Sequence, residues 1–284
     1  MRVAEVAPRI EIVSVADYRI AVHCWEYPTG DKDLLLLHGA GVASELTWYP
    51  LVASFQCYRR VFAVDLRGMG RSHAPDWVDR PLQLAQLADD LDSVAFEFAI
   101  ETVDLVGYSF GGLVSLLWNA RHPNRVRRMA LIEPALLERE SLTELRQVRA
   151  GYADAVAALL DGSDPTEGVR KFLDLIAPAR SRHPRVERMT IQRLASRPLG
   201  LAYALQAVNE AAWHLDRMAL LDQMPPTLSV IGGKSPEAAH ALHRRLADTR
   251  EEWGYEVIAG VDHALPYQKP DALARCLLQH LASA

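Results

Sequence analysis

The sequence predicts an α/β fold: a mostly parallel central sheet flanked by helices, with a block of helices inserted before its last strands. Three observations carry this. Runs at residues 34–37, 61–64, 103–106, 129–132 and 227–231 are continuous or nearly continuous in apolar residues, so the strands they form are expected to be buried on both faces. Helix-length segments separate most of them, which is the spacing that parallel crossovers need. Between Pro134 and Pro225 no strand pattern occurs, and apolar residues recur at helical spacing.

Taken in order, residues 10–15 and 18–26 are β-rich runs joined at Ala16-Asp17 and read as an opening antiparallel hairpin. Residues 82–98 carry Leu84, Leu87, Leu91 and Val94 at helical spacing, and residues 111–121 form a second helix with Leu113, Leu116 and Leu117 on its apolar face. In the inserted block, Val148, Tyr152, Val156, Leu159 and Leu160 mark a helix. Gly162-Ser163-Asp164-Pro165 then supplies a turn, an N-cap and a proline suited to the first helical position. Breaks at 180–184 and 197–200 divide the remainder, so three or four helices are expected. A helix from about Pro236, a strand near 255–258, a loop with His263 and a closing helix from Pro270 complete the chain. This organisation gives a core of residues 1–134 and 225–284 around a helical cap of residues 135–224.

The 284 residues are 50% hydrophobic, enough for one large domain. The net charge of −5 is spread without long single-sign blocks, which gives no case for nucleic acid or an anionic membrane. Arg125, Arg127 and Arg128 read as the solvated rim of a strand. Cys24, Cys57 and Cys276 have no metal-site spacing, and Cys24 and Cys276 read as small buried hydrophobes. Residues 1–9 lack the apolar core of a signal peptide, so a soluble cytoplasmic protein, monomer or homodimer, is expected.

The most informative motif is Gly107-Tyr108-Ser109-Phe110-Gly111, placed between an apolar strand and a helix. Gly-x-Ser-x-Gly in that context is a nucleophile elbow, a tight turn that lifts one serine hydroxyl above the sheet edge. Gly107, Gly111 and Gly112 leave room where strand and helix approach closely. A serine hydroxyl needs a positioned base, and His263 lies in a loop at the same carboxyl edge of the sheet. Two backbone N–H groups must meet the developing oxyanion. Phe110 supplies one, and Ala40, in His38-Gly39-Ala40-Gly41, supplies the other. His38 reads as a brace for that turn.

These segments, with Asp65-Leu66-Arg67-Gly68-Met69-Gly70-Arg71-Ser72 and Gly260-Val261-Asp262-His263, resemble the α/β-hydrolase superfamily, in its branch with a helical cap. The resemblance runs in family order over almost the whole chain. It implies the α/β-hydrolase fold, and it makes Asp65 to Ser72 a structural turn beside the site. It also implies an aspartate a few residues after the strand ending at Ile231, where the chain has Gly232-Gly233-Lys234-Ser235. Glu133, after the 129–132 strand, is the leading substitute, since some branches are similar in placing the acid there. Glu237, Asp262 or no acid at all are the alternatives.

A serine nucleophile points to acyl transfer, so the expected function is hydrolysis of a carboxylic ester, lactone or thioester of a small to medium apolar substrate, a small molecule, through an acyl-enzyme on Ser109, with no metal and no cofactor. The alternatives are lyase, cyclase or carbon–carbon bond hydrolase chemistry on the same scaffold, a ligand-binding receptor with little turnover, and a secondary haloperoxidase-like activity. For substrate contacts the sequence offers Gly39, Trp48, Tyr108, Leu136, Tyr203, Trp213 and His214. The arginines Arg146, Arg149, Arg170, Arg180, Arg182 and Arg185 are offset by nearby acids and read as a solvated face.

Overall fold

Every apolar run picked out above forms a strand in the computed structural model, which describes residues 7–282. Most of the leading stretch on which the signal-peptide expectation rests lies outside the described residues. The strands are β1 (Arg9–Ser14), β2 (Arg19–Glu26), β3 (Asp33–Leu37), β4 (Arg60–Val64), β5 (Val103–Tyr108), β6 (Val126–Ile132), β7 (Thr227–Gly232) and β8 (Trp253–Ile258). They form one sheet in the order β1-β2-β4-β3-β5-β6-β7-β8. β1 pairs antiparallel with β2 and β2 with β4, and the remaining pairings are parallel. Successive side chains point to opposite faces. Leu35, Leu37, Phe62, Val64 and Leu131 therefore feed one core, and Leu34, Leu36, Val61, Ala63 and Ile132 feed the other. Each such fully buried Val, Leu, Ile or Phe side chain contributes roughly 1.5–3 kcal/mol by leaving water.

Helices cover both faces. α2 (Leu84–Glu97) and α3 (Phe110–Arg121) lie on the first, while α1 (Ser44–Val52) and α11 (Pro270–Leu281) lie on the second. α1 escaped the sequence reading because two residues of its buried stripe, Ser44 and Thr47, are polar and Pro50 interrupts it. α9 (Glu237–Thr249) and the short α10 (Leu265–Gln268) flank β8 in sequence.

Between β6 and β7 the described residues hold five helices, one more than the upper expectation. They are α4 (Leu142–Asp161), α5 (Pro165–Ile176), α6 (Pro184–Leu194), α7 (Pro198–His214) and α8 (Arg217–Asp222). Asp164 caps α5 as expected, accepting from Thr166 N–H at 2.9 Å. α8 is six residues long and too short to show periodicity, although Asp216 caps it. α7 seats on the loop after β4. A Cβ built on Gly200 would lie 1.9 Å from the Gly68 carbonyl oxygen. Arg197 donates to the Gly70 and Ser72 carbonyls at 3.2 and 2.6 Å and pairs with Asp79 at 2.5 Å.

The solvated-face reading fails for two inserted arginines. Arg149 is 3% exposed and pairs with Glu138, and the Arg180 side chain is 9% exposed between Asp174 and Glu187. On the sheet, Arg127 reaches inward to buried Asp104. Cys24 is buried, Cys276 half-buried and Cys57 exposed. No helix among the described residues is long and apolar enough to cross a membrane.

Candidate active site

The turn after β5 is built by close contact. A Cβ on Gly107 would fall 2.3 Å from Ser115 Oγ, and one on Gly111 would fall 2.3 Å from the Leu37 carbonyl oxygen. Ser109 takes φ 52°, a left-handed conformation that costs about 1–3 kcal/mol and that only surrounding structure can hold. Ser109 N–H donates to Ile132 O, and Ser109 O accepts from Gly112 and Ala135 N–H, each at 2.9 Å. The loops after β5 and β6 thus fix each other.

Ser109 Oγ lies 3.0 Å from His263 Nε2, and His263 Nδ1 lies 3.3 Å from Glu133 Oε2. The other Glu133 oxygen accepts from Gly232 N–H at 2.7 Å and from the Ser235 hydroxyl at 2.6 Å. The serine standing where the resemblance implies an aspartate therefore binds the carboxylate supplied by β6. Burial alone would raise the Glu133 carboxyl. The hydrogen bond and charge of His263, with Ser235 and Gly232, outweigh it and hold the group below its ordinary value. Asp262 turns to its own loop, accepting from Ala264 N–H and the Gln268 amide at 2.9 Å each. Glu237 is exposed and pairs with Arg244. Neither alternative acid meets His263.

Phe110 N–H opens α3, and Ala40 N–H lies on the loop after β3. Neither has a protein acceptor among the described residues. His38 braces that loop. Its Nε2 accepts from Leu66 N–H at 2.9 Å, so its Nδ1–H donates to Gly39 O at 2.8 Å, and burial pushes its pKa down. Asp65 anchors the neighbouring turn, accepting from Ser44 and Arg71 N–H at 2.8 Å each. Tyr108 donates to the His263 carbonyl at 3.0 Å.

A cavity of about 280 Å³ opens over Ser109 and His263, and Gly39, Ala40 and Tyr108 line it. Its apolar walls come from Val42, from Phe172 and Ile176 on α5, and from Val186 and Leu194 on α6. Five expected contacts lie elsewhere. Trp48 is wholly buried under the second core and Leu136 under the first, where Tyr203 also packs. Trp213 is 57% exposed, with the Arg146 guanidinium 4.7 Å above its ring, and His214 is exposed beside it. Aromatic character marked these residues, but packing claimed the buried ones and the end of α7 carried the others outward. Tyr267, which lines the cavity, was missed. The available signal was its position four residues after His263, one helical turn on.

A sequence profile described as the alpha/beta hydrolase family matches residues 34–276. A pimeloyl-[acyl-carrier protein] methyl ester esterase of Neisseria meningitidis is 32% identical over 231 residues, 78% of this chain and 84% of that protein. A 2-hydroxy-6-oxo-2,4-heptadienoate hydrolase of Pseudomonas putida is 32% identical over 152 residues, 52% of this chain and 50% of that one. Among solved structures, a hydrolase from Pseudomonas aeruginosa superposes with a TM-score of 0.76 at 23% identity, covering 96% of this chain and 98% of its own, which supports the fold.

Proposed function

The chain belongs to the alpha/beta hydrolase family, and on that footing we propose that it hydrolyses carboxylic esters, lactones or thioesters through an acyl-enzyme on Ser109. The observation that carries this reading is the unbroken contact from Glu133 through His263 to Ser109 at the floor of a cavity. Ser109 Oγ attacks the substrate carbonyl carbon while His263 Nε2 takes its proton. Glu133 holds the imidazole with Nδ1–H directed at itself and stabilises the imidazolium. Phe110 and Ala40 N–H groups meet the oxyanion. The proton passes from His263 to the departing alcohol or thiol, and water then releases the acid by the same steps. The helices between β6 and β7 act as the cap that encloses the acyl group, and the protein works on a small molecule in the cytoplasm. The esterase name of the Neisseria relative supports the class of reaction.

Hydrolysis of p-nitrophenyl esters of rising chain length, with Ser109→Ala alongside, tests this. Turnover graded by chain length and abolished in the variant is expected. Equal rates in both proteins would refute it. The Pseudomonas putida relative favours a second reading, because its named substrate contains no ester. Consumption of such a dienoate, with no ester turned over, would select carbon–carbon bond hydrolysis.

A further inference from the structure

The cavity lining carries charges of both signs. Asp262 lines the cavity beside His263, and Glu133 stands behind that ring, against its Nδ1. Arg180, Glu187 and Arg193 line the cavity too, and the stretch 180–193 that carries them holds five arginines and one acid. Arg180 and Arg182 are both engaged by Asp174 and Glu187. Arg193 has no ion pair or side-chain hydrogen bond among the described residues.

Arg193 is exposed, and it also lines the cavity. Val186, Glu187, Thr190, Arg193 and Leu194 all line the cavity, and their spacing puts them on one side of α6. Its charge is felt at the Tyr267 hydroxyl, whose pKa burial raises and whose rise Arg193 and a Thr47 hydrogen bond oppose. An uncommitted guanidinium thus shares the cavity lining with Ser109, and a forked donor of that kind matches a carboxylate or a phosphate.

We infer that the preferred substrate carries a carboxylate or phosphate at the end remote from its scissile carbonyl, seated on Arg193 with an apolar spacer along α5 and α6. The inference rests on the proposed ester hydrolysis. Asp262 and Glu133, on the His263 side, repel the anionic end there, so charge also sets the direction in which the substrate binds.

The test compares p-nitrophenyl hexanoate with the p-nitrophenyl monoester of adipic acid and with a phosphate-ended ester of equal length, at low salt. The proteins are the wild type, Arg193→Gln, Arg193→Lys and Arg193→Glu. The readout is the ratio of kcat/KM for anionic over neutral ester, in which any general damage cancels. The wild type is expected to prefer an anionic ester by roughly threefold to tenfold, and added salt should shrink that preference. Lysine should keep part of it, glutamine remove it and glutamate reverse it. The larger of the two anionic preferences identifies the natural group. A wild type that prefers the hexanoate, or a ratio unchanged in the glutamine and glutamate variants, overturns the inference while ester hydrolysis stands. Calorimetric binding of monomethyl adipate and methyl hexanoate to Ser109→Ala separates the converse case. A binding preference that needs Arg193, with no ester turned over, keeps the anion seat and rejects the hydrolysis.

Discussion

Glu133→Gln changes one atom pair and almost no volume, and the geometry dictates how the amide must sit. Glu133 Oε1 accepts from two donors, Gly232 N–H at 2.7 Å and Ser235 hydroxyl at 2.6 Å. An amide nitrogen placed there would confront the Gly232 N–H, so the glutamine keeps its carbonyl oxygen on that side. Its NH₂ then faces His263 Nδ1, 3.3 Å away. Two donors cannot share that contact, so the imidazole moves its proton to Nε2 and presents an N–H, not a lone pair, to Ser109. The base is disabled with the fold intact. The equivalent carboxylate-to-amide change in a serine protease costs about ten-thousandfold in kcat. With the contact here at the long end of the range, a loss of about 10³ to 10⁴ is expected, or roughly 4–5.5 kcal/mol of transition-state stabilisation. Steady-state kinetics on a p-nitrophenyl ester, with thermal unfolding as the control, reads it. Turnover within tenfold of wild type at an unchanged melting temperature would refute the reasoning.

Three other perturbations follow from the same contacts. Ser235→Ala removes one of the groups holding the Glu133 carboxyl low. Titration of the Glu133 carboxyl, followed by carbon-13 NMR of labelled glutamate, should move to higher pH in the variant, and an unmoved titration would rule this out. Gly200→Ala drives a methyl into the Gly68 carbonyl 1.9 Å away. Loss of about 1–3 kcal/mol in urea unfolding is expected, and a neutral result would mean that α7 is free to shift. His243 is wholly buried, and burial pushes its pKa down to about 4 from the ordinary 6.5. The unfolded chain takes up a proton that the fold refuses, so stability is full above about pH 6.5 and falls by about 3 kcal/mol on the way to pH 4. His243→Gln, whose amide can still donate to the Leu137 carbonyl, should flatten that part of the difference between urea midpoints at the two pH values.

The strands were legible because strands buried on both faces are mostly apolar, and Leu34 to Leu37 leave no other reading. The positions of Ser109, His263 and Glu133 were legible for a related reason. Each is a polar residue at the end of an apolar strand or in the loop beyond it, where the sheet edge gathers its ligands. The cavity wall was not legible. Val186 and Leu194 become wall only because α6 lies over the loop after β3, where Leu194 would meet a Cβ on Gly41 at 2.9 Å. No local pattern separates such a residue from one packed in the core. The reverse error came from size: Trp48 has the bulk of a ligand contact and spends it filling the space beneath α1.

Glu133, the proposed acid, directly follows β6, and this has a consequence for how the chain can be re-engineered or diversify. When the acid follows β7, the whole insertion is a cassette that can be exchanged without touching the catalytic frame. In this chain the cassette begins inside the frame. Glu133 runs directly into Pro134 and Ala135, whose N–H holds Ser109 O at 2.9 Å. Leu136 follows at φ 78°, and the Leu137 carbonyl lies 3.1 Å from buried His243. A transplant seam cut at Pro134 would carry away the backbone that aims both the acid and the serine. The graft that preserves them must begin after Leu137 and before Ser141, the cap of α4. The same stretch is where inherited exchange of caps would be least tolerated, while the turn after β7 needs to keep only an N–H and a hydroxyl.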